Sequence, residues 1–261
     1  MWTREELKLN AKASLNRNYW PAILVGLIIS ILGGGGGFGS SFSNTSSSED
    51  IRSSFDGITS VEASVLIAVL VAILAASFIL ILIGISFSVF VSNPLFIGCY
   101  RFFAVNNQSD KNASLNTLGF GFRNKRYGNV VQIMFFRGLF TWLWSLLLII
   151  PGIIKGYEYR MIPYLLAENP NMDRQAAFAA SREMMTGEKW NAFVLDLSFL
   201  GWILLSIVTC GILALFYVNP YIQFTNAGLY LKLREILINS GKATAFGLDG
   251  FTEGVTSVGT V

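Results

Sequence analysis

NVVQIMFFRGLFTWLWSLLLIIPGIIKGYEYRMIPYLLAENP, residues 129–170, is the stretch that decides how this chain folds. Between Val130 and Pro170 the ionisable side chains are Arg137, Lys155, Glu158, Arg160 and Glu168, and most other positions are aliphatic or aromatic. A run this apolar has lipid as its solvent. At about 1.5 Å per residue it would extend about 60 Å as one helix, twice a hydrocarbon layer of about 30 Å. Pro151-Gly152 near its middle is a natural turn. Basic segments flank it, with Lys111, Arg123, Lys125 and Arg126 before and Arg174, Arg182 and Lys189 after. Lysine and arginine collect on the cytoplasmic side of membrane proteins, so the stretch is expected to cross and return.

Working outward, Trp190 to Leu231 has the same form, with Cys210-Gly211 as its tip and Lys232 and Arg234 at its far end. Toward the N-terminus, Tyr19 to Leu32 is continuously apolar and runs into the glycine tract 33–37. The Trp20-Pro21 pair suits an interface and a first helical turn. A polar lead and no A-x-A site argue against a signal peptide. Residues 39–62 read as an exposed serine-rich loop. The next uncharged run, Ala63 to Tyr100, is divided by Pro94 and continues into an interfacial piece ending at Arg101.

The expected fold is therefore an all-α, polytopic transmembrane helical bundle of six spans arranged as three hairpins. The spans are 19–38, 64–92, 130–150, 152–168, 191–210 and 212–231, within a transmembrane domain over 19–238. The return helices are kinked at Pro94, Pro163 and Pro220. Residues 1–18 form an amphipathic inner-face helix and 239–261 a disordered tail. This arrangement places Arg4, Lys8, Lys12 and Arg17 inside with the later basic segments, and leaves Arg52 and Lys155 near the outside. Both termini are then cytoplasmic.

The two later hairpins can be overlaid. Each has a glycine at its tip and a Pro-Tyr in the returning helix, Pro163-Tyr164 and Pro220-Tyr221. Gly84 with Asn93-Pro94-Leu95 makes a divergent third copy, and the repeat suggests a pseudo-symmetric centre.

Two amphipathic pieces belong to the inner face. Thr3-x-x-Glu6 is a capping box, and Leu7, Ala11, Leu15 and Tyr19 make a stripe that would rest in the headgroup plane. In the second piece Asp173 caps a helix to Met185 and Gly187 ends it. Its stripe of Ala176, Ala180 and Met184 could dock a protein partner or cover the base of the bundle.

Ionisable groups at membrane depth are costly and mark candidate functional positions. Arg137 and Asp196 lie at similar distances from their tips, which predicts an ion pair between the third and fifth spans. Glu158 and Arg160 are two residues apart and face different sides of a helix, so they are poor partners for each other. They are expected to face a polar crevice with Asn219, Gln223 and Asn226.

The composition excludes several classes. Of 261 residues 53% are hydrophobic and 13% charged, about half the charged share of a soluble domain. There is no histidine, and Cys99 and Cys210 stand alone, so no metal centre or CxxC pair is expected. No cofactor, nucleophile elbow, Ser-Lys element or phosphate loop appears, and the reading is non-enzymatic. The net charge of +3 reflects membrane orientation, not nucleic-acid binding.

RNYWPAI at 17–23, NPLFIGCYRFF at 93–103, LWSLLLIIPGIIKGYEYRMIPYLLAENP, SREMMTGEKW at 181–190, LDLSFLGW and NPYIQFTNAGLY together resemble a bacterial family of polytopic membrane proteins, domain of unknown function 975. The resemblance runs from about residue 3 to 238. It implies an integral membrane protein of the bacterial plasma membrane with no established substrate or catalytic residues. The expected role is handling a membrane-associated small molecule or lipid, or protecting the envelope. The alternative is an interaction subunit docking a partner through 173–185.

Overall fold

The computed structural model describes residues 2–33, 60–108, 113–122, 127–242, 246–248 and 251. The glycine tract from 34 on, most of the serine-rich loop with Arg52, and Lys111, Arg123, Lys125 and Arg126 lie outside the described residues. The fold is all-α. Its elements are α1 Arg4–Arg17, α2 Tyr19–Leu32, α3 Ser60–Phe87, α4 Asn93–Gln108, α5 Tyr127–Leu147, α6 Ile149–Glu158, α7 Ile162–Glu168, α8 Arg174–Met185, α9 Lys189–Leu197, α10 Leu200–Val208 and α11 Asn219–Asn239.

α1 starts where Thr3 Oγ1 accepts from the Glu6 N–H at 3.2 Å. Only that half of the expected capping box forms as drawn. Glu6 turns its carboxylate to Lys232 Nζ on α11, 2.9 Å away. The hydrogen bond from Lys232 holds the Glu6 carboxyl below its ordinary value and, reciprocally, raises the Lys232 ammonium. Leu7, Ala11 and Leu15 are fully buried in the core. The stripe expected to rest on lipid headgroups is covered by protein, with α1 packed on α11 and α4. The chain then bends by 107° into α2.

α3 is uncharged past Glu62, and every described side chain from Ser64 to Phe87 is exposed. A helix apolar on every side and uncovered by the rest of the described chain has the character of a membrane-crossing segment. It passes through a π-helical turn, Ser88–Ser92, into Asn93-Pro94 and α4. The same device recurs at Ala214–Val218, ahead of Asn219-Pro220 and α11. A helical proline removes an N–H and crowds the carbonyl four residues before it, and widening the preceding turn relieves the crowding. At Pro94 that carbonyl belongs to Phe90, and Tyr127 Oη donates to it at 2.8 Å. Pro163 differs, standing in the first turn of α7.

α5 ends at Leu147, extended Leu148 follows (φ −156°, ψ 140°), and α6 packs back along α5. The break thus falls ahead of the expected Pro151-Gly152, and Pro151 occupies the first turn of α6. A Cβ on Gly152 would come within 2.6 Å of Ser145 Cα, so the approach of the two segments requires glycine there. The second turn is where expected: Cys210 (φ 51°) and Gly211 (φ 82°) are both left-handed.

Three described helical stretches are long and apolar enough to cross a membrane, Ile67–Gln108, Tyr127–Leu147 and Lys189–Val208. Counting the bent α1–α2 pair adds a fourth. This is fewer than the six expected, because the return segments are not continuous apolar rods. Residues 152–168 are split at Tyr159–Met161 into α6 and α7, and every residue of α7 is buried. Residues 212–231 contain the π turn and become α11, whose Phe224, Ala227, Leu229 and Tyr230 are fully buried.

The core lies among α1, α4, α7, α8 and α11. Phe103 meets Phe224 edge-on at 4.9 Å, and Tyr164 stacks on Tyr230 at 5.3 Å. The stripe of α8 is spent here: Ala180 and Met184 are buried and Ala176 packs against the cluster. Within the tail expected to be disordered, Leu248 and Phe251 are also buried. The Gly247 and Leu248 carbonyls accept from Asn169 Nδ2 at 3.0 Å and Arg234 Nη2 at 3.2 Å.

Candidate functional site

Several of the polar side chains singled out above gather where α6 gives way to α7. The turn at Tyr159–Met161 swings Arg160 toward α9, and its guanidinium grips Asp196 with two bonds, Nη1 to Oδ2 and Nη2 to Oδ1, each 2.7 Å. Nη2 also donates to Asn226 Oδ1 of α11 at 2.7 Å. Tyr157 Oη donates to Asp196 Oδ2 at 2.8 Å. Planar guanidinium suits this bidentate geometry, and one arginine joins three segments.

The expected Arg137–Asp196 pair does not form. Arg137 Nε donates to the Tyr159 carbonyl at 3.0 Å, and Asp196 is taken by Arg160. Equal distance from a tip sets height along a helix but not the direction a side chain faces. The unanticipated turn at Tyr159–Met161 decided the partner.

Glu158 faces elsewhere, as its spacing from Arg160 implied. Oε1 accepts from Lys155 Nζ at 2.8 Å and Arg182 Nε at 2.9 Å, and Oε2 from Lys189 Nζ at 2.9 Å. Its own carbonyl accepts from Ser181 Oγ at 2.7 Å. Glu158 is 4% exposed. A carboxylate that buried persists only when its lone pairs are engaged by cations.

The expected crevice is only partly assembled. Asn226 joins Arg160, but Asn219 donates to Ser30 Oγ of α2 at 2.8 Å, away from the cluster. Gln223 is half-buried, and its Oε1 has no hydrogen-bond partner among the described residues. Pro94 and Pro220 follow the two π turns, whereas Pro163 starts α7.

Sequence reasoning missed a second carboxylate. Glu168 accepts from Tyr230 Oη at 2.6 Å and from Arg234 Nε at 2.7 Å, buried between α7 and α11. Its position at the end of a greasy run was the available signal. Arg101 was also passed over. It is 1% exposed, bonds the Ala167 carbonyl and lies 4.0 Å from the Phe120 ring centre.

Among the described residues no group of three or more Cys, Asp or Glu side chains is placed to hold a metal ion. What the cluster offers is charge: three cations meet at Glu158, and a neutral pair stands beside them at Arg160–Asp196.

No curated protein and no solved structure matches the chain. A family model described as a protein of unknown function, DUF975, matches residues 63–236, from within α3 to near the end of α11, leaving α1 and α2 outside the match. The chain belongs to the DUF975 family.

Proposed function

We propose that this is a non-enzymatic, multi-pass protein of the bacterial plasma membrane, with both termini cytoplasmic, that handles a lipid or another membrane-associated small molecule at the inner leaflet. One observation carries the reading. The charged network of Arg160, Asp196 and Glu158 stands at the foot of two segments whose ends, around Leu148 and Val208, are apolar and exposed. Such a foot is within reach of a polar headgroup while its tips sit among acyl chains.

The outgoing legs Tyr127–Leu147 and Lys189–Val208 are long enough to cross, but the short return legs favour two crossings and two re-entrant loops over six crossings. α6, the return from Leu148 to Glu158, has 10 residues, about 15 Å at 1.5 Å per residue. That is half of a hydrocarbon layer of about 30 Å. Glu158 already bonds Arg182 and Lys189 in the basic inner segment. α3 and the shorter α2, 14 residues or about 21 Å, are the crossings in this arrangement, and the tips at Leu148 and Cys210 enter from the cytoplasmic side. Lys155 then moves to the inner side, leaving Arg52 as the basic residue outside, which improves the positive-inside balance. The partner-docking alternative loses its surface, because the stripe of α8 is packed inside.

The test is purification of the full chain in mild detergent with mass spectrometry of what co-purifies. Stoichiometric lipid or amphiphile is the expected result. A lipid-free preparation carrying a stoichiometric protein partner would overturn the reading.

A further inference from the structure

We infer that Lys155, Arg182 and Lys189 form a binding site for the phosphate of an anionic phospholipid headgroup; this rests on the lipid-handling reading above and names its ligand. Three cations converge on one carboxylate, so the cluster holds a surplus of two positive charges. No other carboxylate bonds Lys155, Arg182 or Lys189 among the described residues. Of the neighbouring acids, Glu183 is paired with Lys242, whereas Glu188 accepts from the neutral Asn191 amide and keeps its charge next to Lys189, which trims the local surplus toward one. The side chain of Glu158 is 5% exposed, against 60% for Arg182, 34% for Lys189 and 25% for Lys155. The carboxylate is thus the buried floor and the cations are the open rim. An ammonium has three N–H donors and a guanidinium five, so each retains donors after serving Glu158.

The height of the cluster matches a headgroup. From Leu148 to Lys155 is about 10 Å along α6 at 1.5 Å per residue, and Ile149, Ile150, Ile153 and Ile154 on that path are all exposed. Lys155 Nζ lies 5.7 Å from the Trp144 ring centre, and Trp190, next to Lys189, is 70% exposed. Tryptophan collects at the membrane–water boundary, as this site requires.

The experiment measures retention of phosphatidylglycerol, phosphatidylcholine and inorganic phosphate by the full-length protein in detergent, using native mass spectrometry. Wild type should hold phosphatidylglycerol over phosphatidylcholine. Retention should fall about fivefold for each cation removed in Arg182→Gln and Lys189→Gln. Glu158→Gln removes the competing anion and should strengthen retention in protein that still unfolds cooperatively, whereas a merely structural salt bridge predicts lower stability without that gain. Unchanged phosphatidylglycerol retention in the Arg182→Gln, Lys189→Gln double variant overturns the site while leaving the lipid reading in place. Binding of inorganic phosphate without phosphatidylglycerol overturns the lipid assignment. Absence of every lipid from wild type overturns the underlying reading as well.

Discussion

Arg137 Nε donates a 3.0 Å hydrogen bond to the carbonyl of Tyr159, the residue four before Pro163. In a regular helix the N–H of residue 163 would serve that carbonyl, and proline has none. The backbone offers a long 3.4 Å contact from Ile162, and the arginine supplies the stronger donor. Tyr127 does the same for Phe90, four before Pro94, at 2.8 Å. An arginine within an apolar run that looked like a mechanistic candidate thus has a structural task.

That assignment makes Arg137 and Pro163 energetically coupled. Arg137→Ala should lower stability by about 1.5–3 kcal/mol, the range for a hydrogen bond to a charged donor. Pro163→Ala returns an N–H to the site, so the same arginine substitution should cost less in that background. Thermal unfolding of the four proteins in detergent measures the difference, and equal costs in both backgrounds would count against the assignment.

Arg160 and Asp196 should tolerate exchange better than loss. Asp196→Asn should destabilise by about 2 kcal/mol, toward the lower part of the charged range because the Asp196 side chain is 38% exposed. Arg160→Asp combined with Asp196→Arg should recover part of that loss in a melting assay. Arg137→Asp combined with Asp196→Arg should recover none; recovery there would reinstate the pairing expected from helix positions.

The topology can be read with a native cysteine. Cys99 is buried and Cys210 is exposed at the second tip. In a Cys99→Ser background, a membrane-impermeant maleimide applied to intact cells should leave Cys210 unlabelled. Ser46→Cys in the serine-rich loop, with Cys210 also replaced by serine, should label readily. Labelling of Cys210 from outside would show that the loop crosses fully.

The Glu6–Lys232 bridge predicts a defined acid sensitivity. The folded-state pKa of Glu6 is depressed from 4.5, so its contribution is complete above that value and disappears as pH falls through the folded value. Lys232 is raised from 10.5, so its contribution is complete below that and disappears as pH rises through the folded value. The melting-temperature gap between wild type and Lys232→Gln should be constant near neutral pH and narrow progressively in acid, below 4.5, as pH falls through the folded-state value of Glu6. A gap that does not narrow at all on acidification would assign Lys232 a role apart from Glu6.

The amino-acid order alone determined the helical class, the long apolar runs, the start of α1 at Thr3, the start of α8 at Asp173 and the turn at Cys210-Gly211, because hydropathy, capping and backbone freedom act over a few residues. The ion-pair partners, and which apolar segments the rest of the protein covers, were settled only by tertiary structure. Hydropathy scores a greasy helix alike whether lipid or protein covers it, so buried α7 and naked α3 read the same. Position along a helix gives a charge its height and leaves its direction open. It took the bend at Tyr159–Met161 to hand Asp196 to Arg160 and to set Lys155, Arg182 and Lys189 around Glu158.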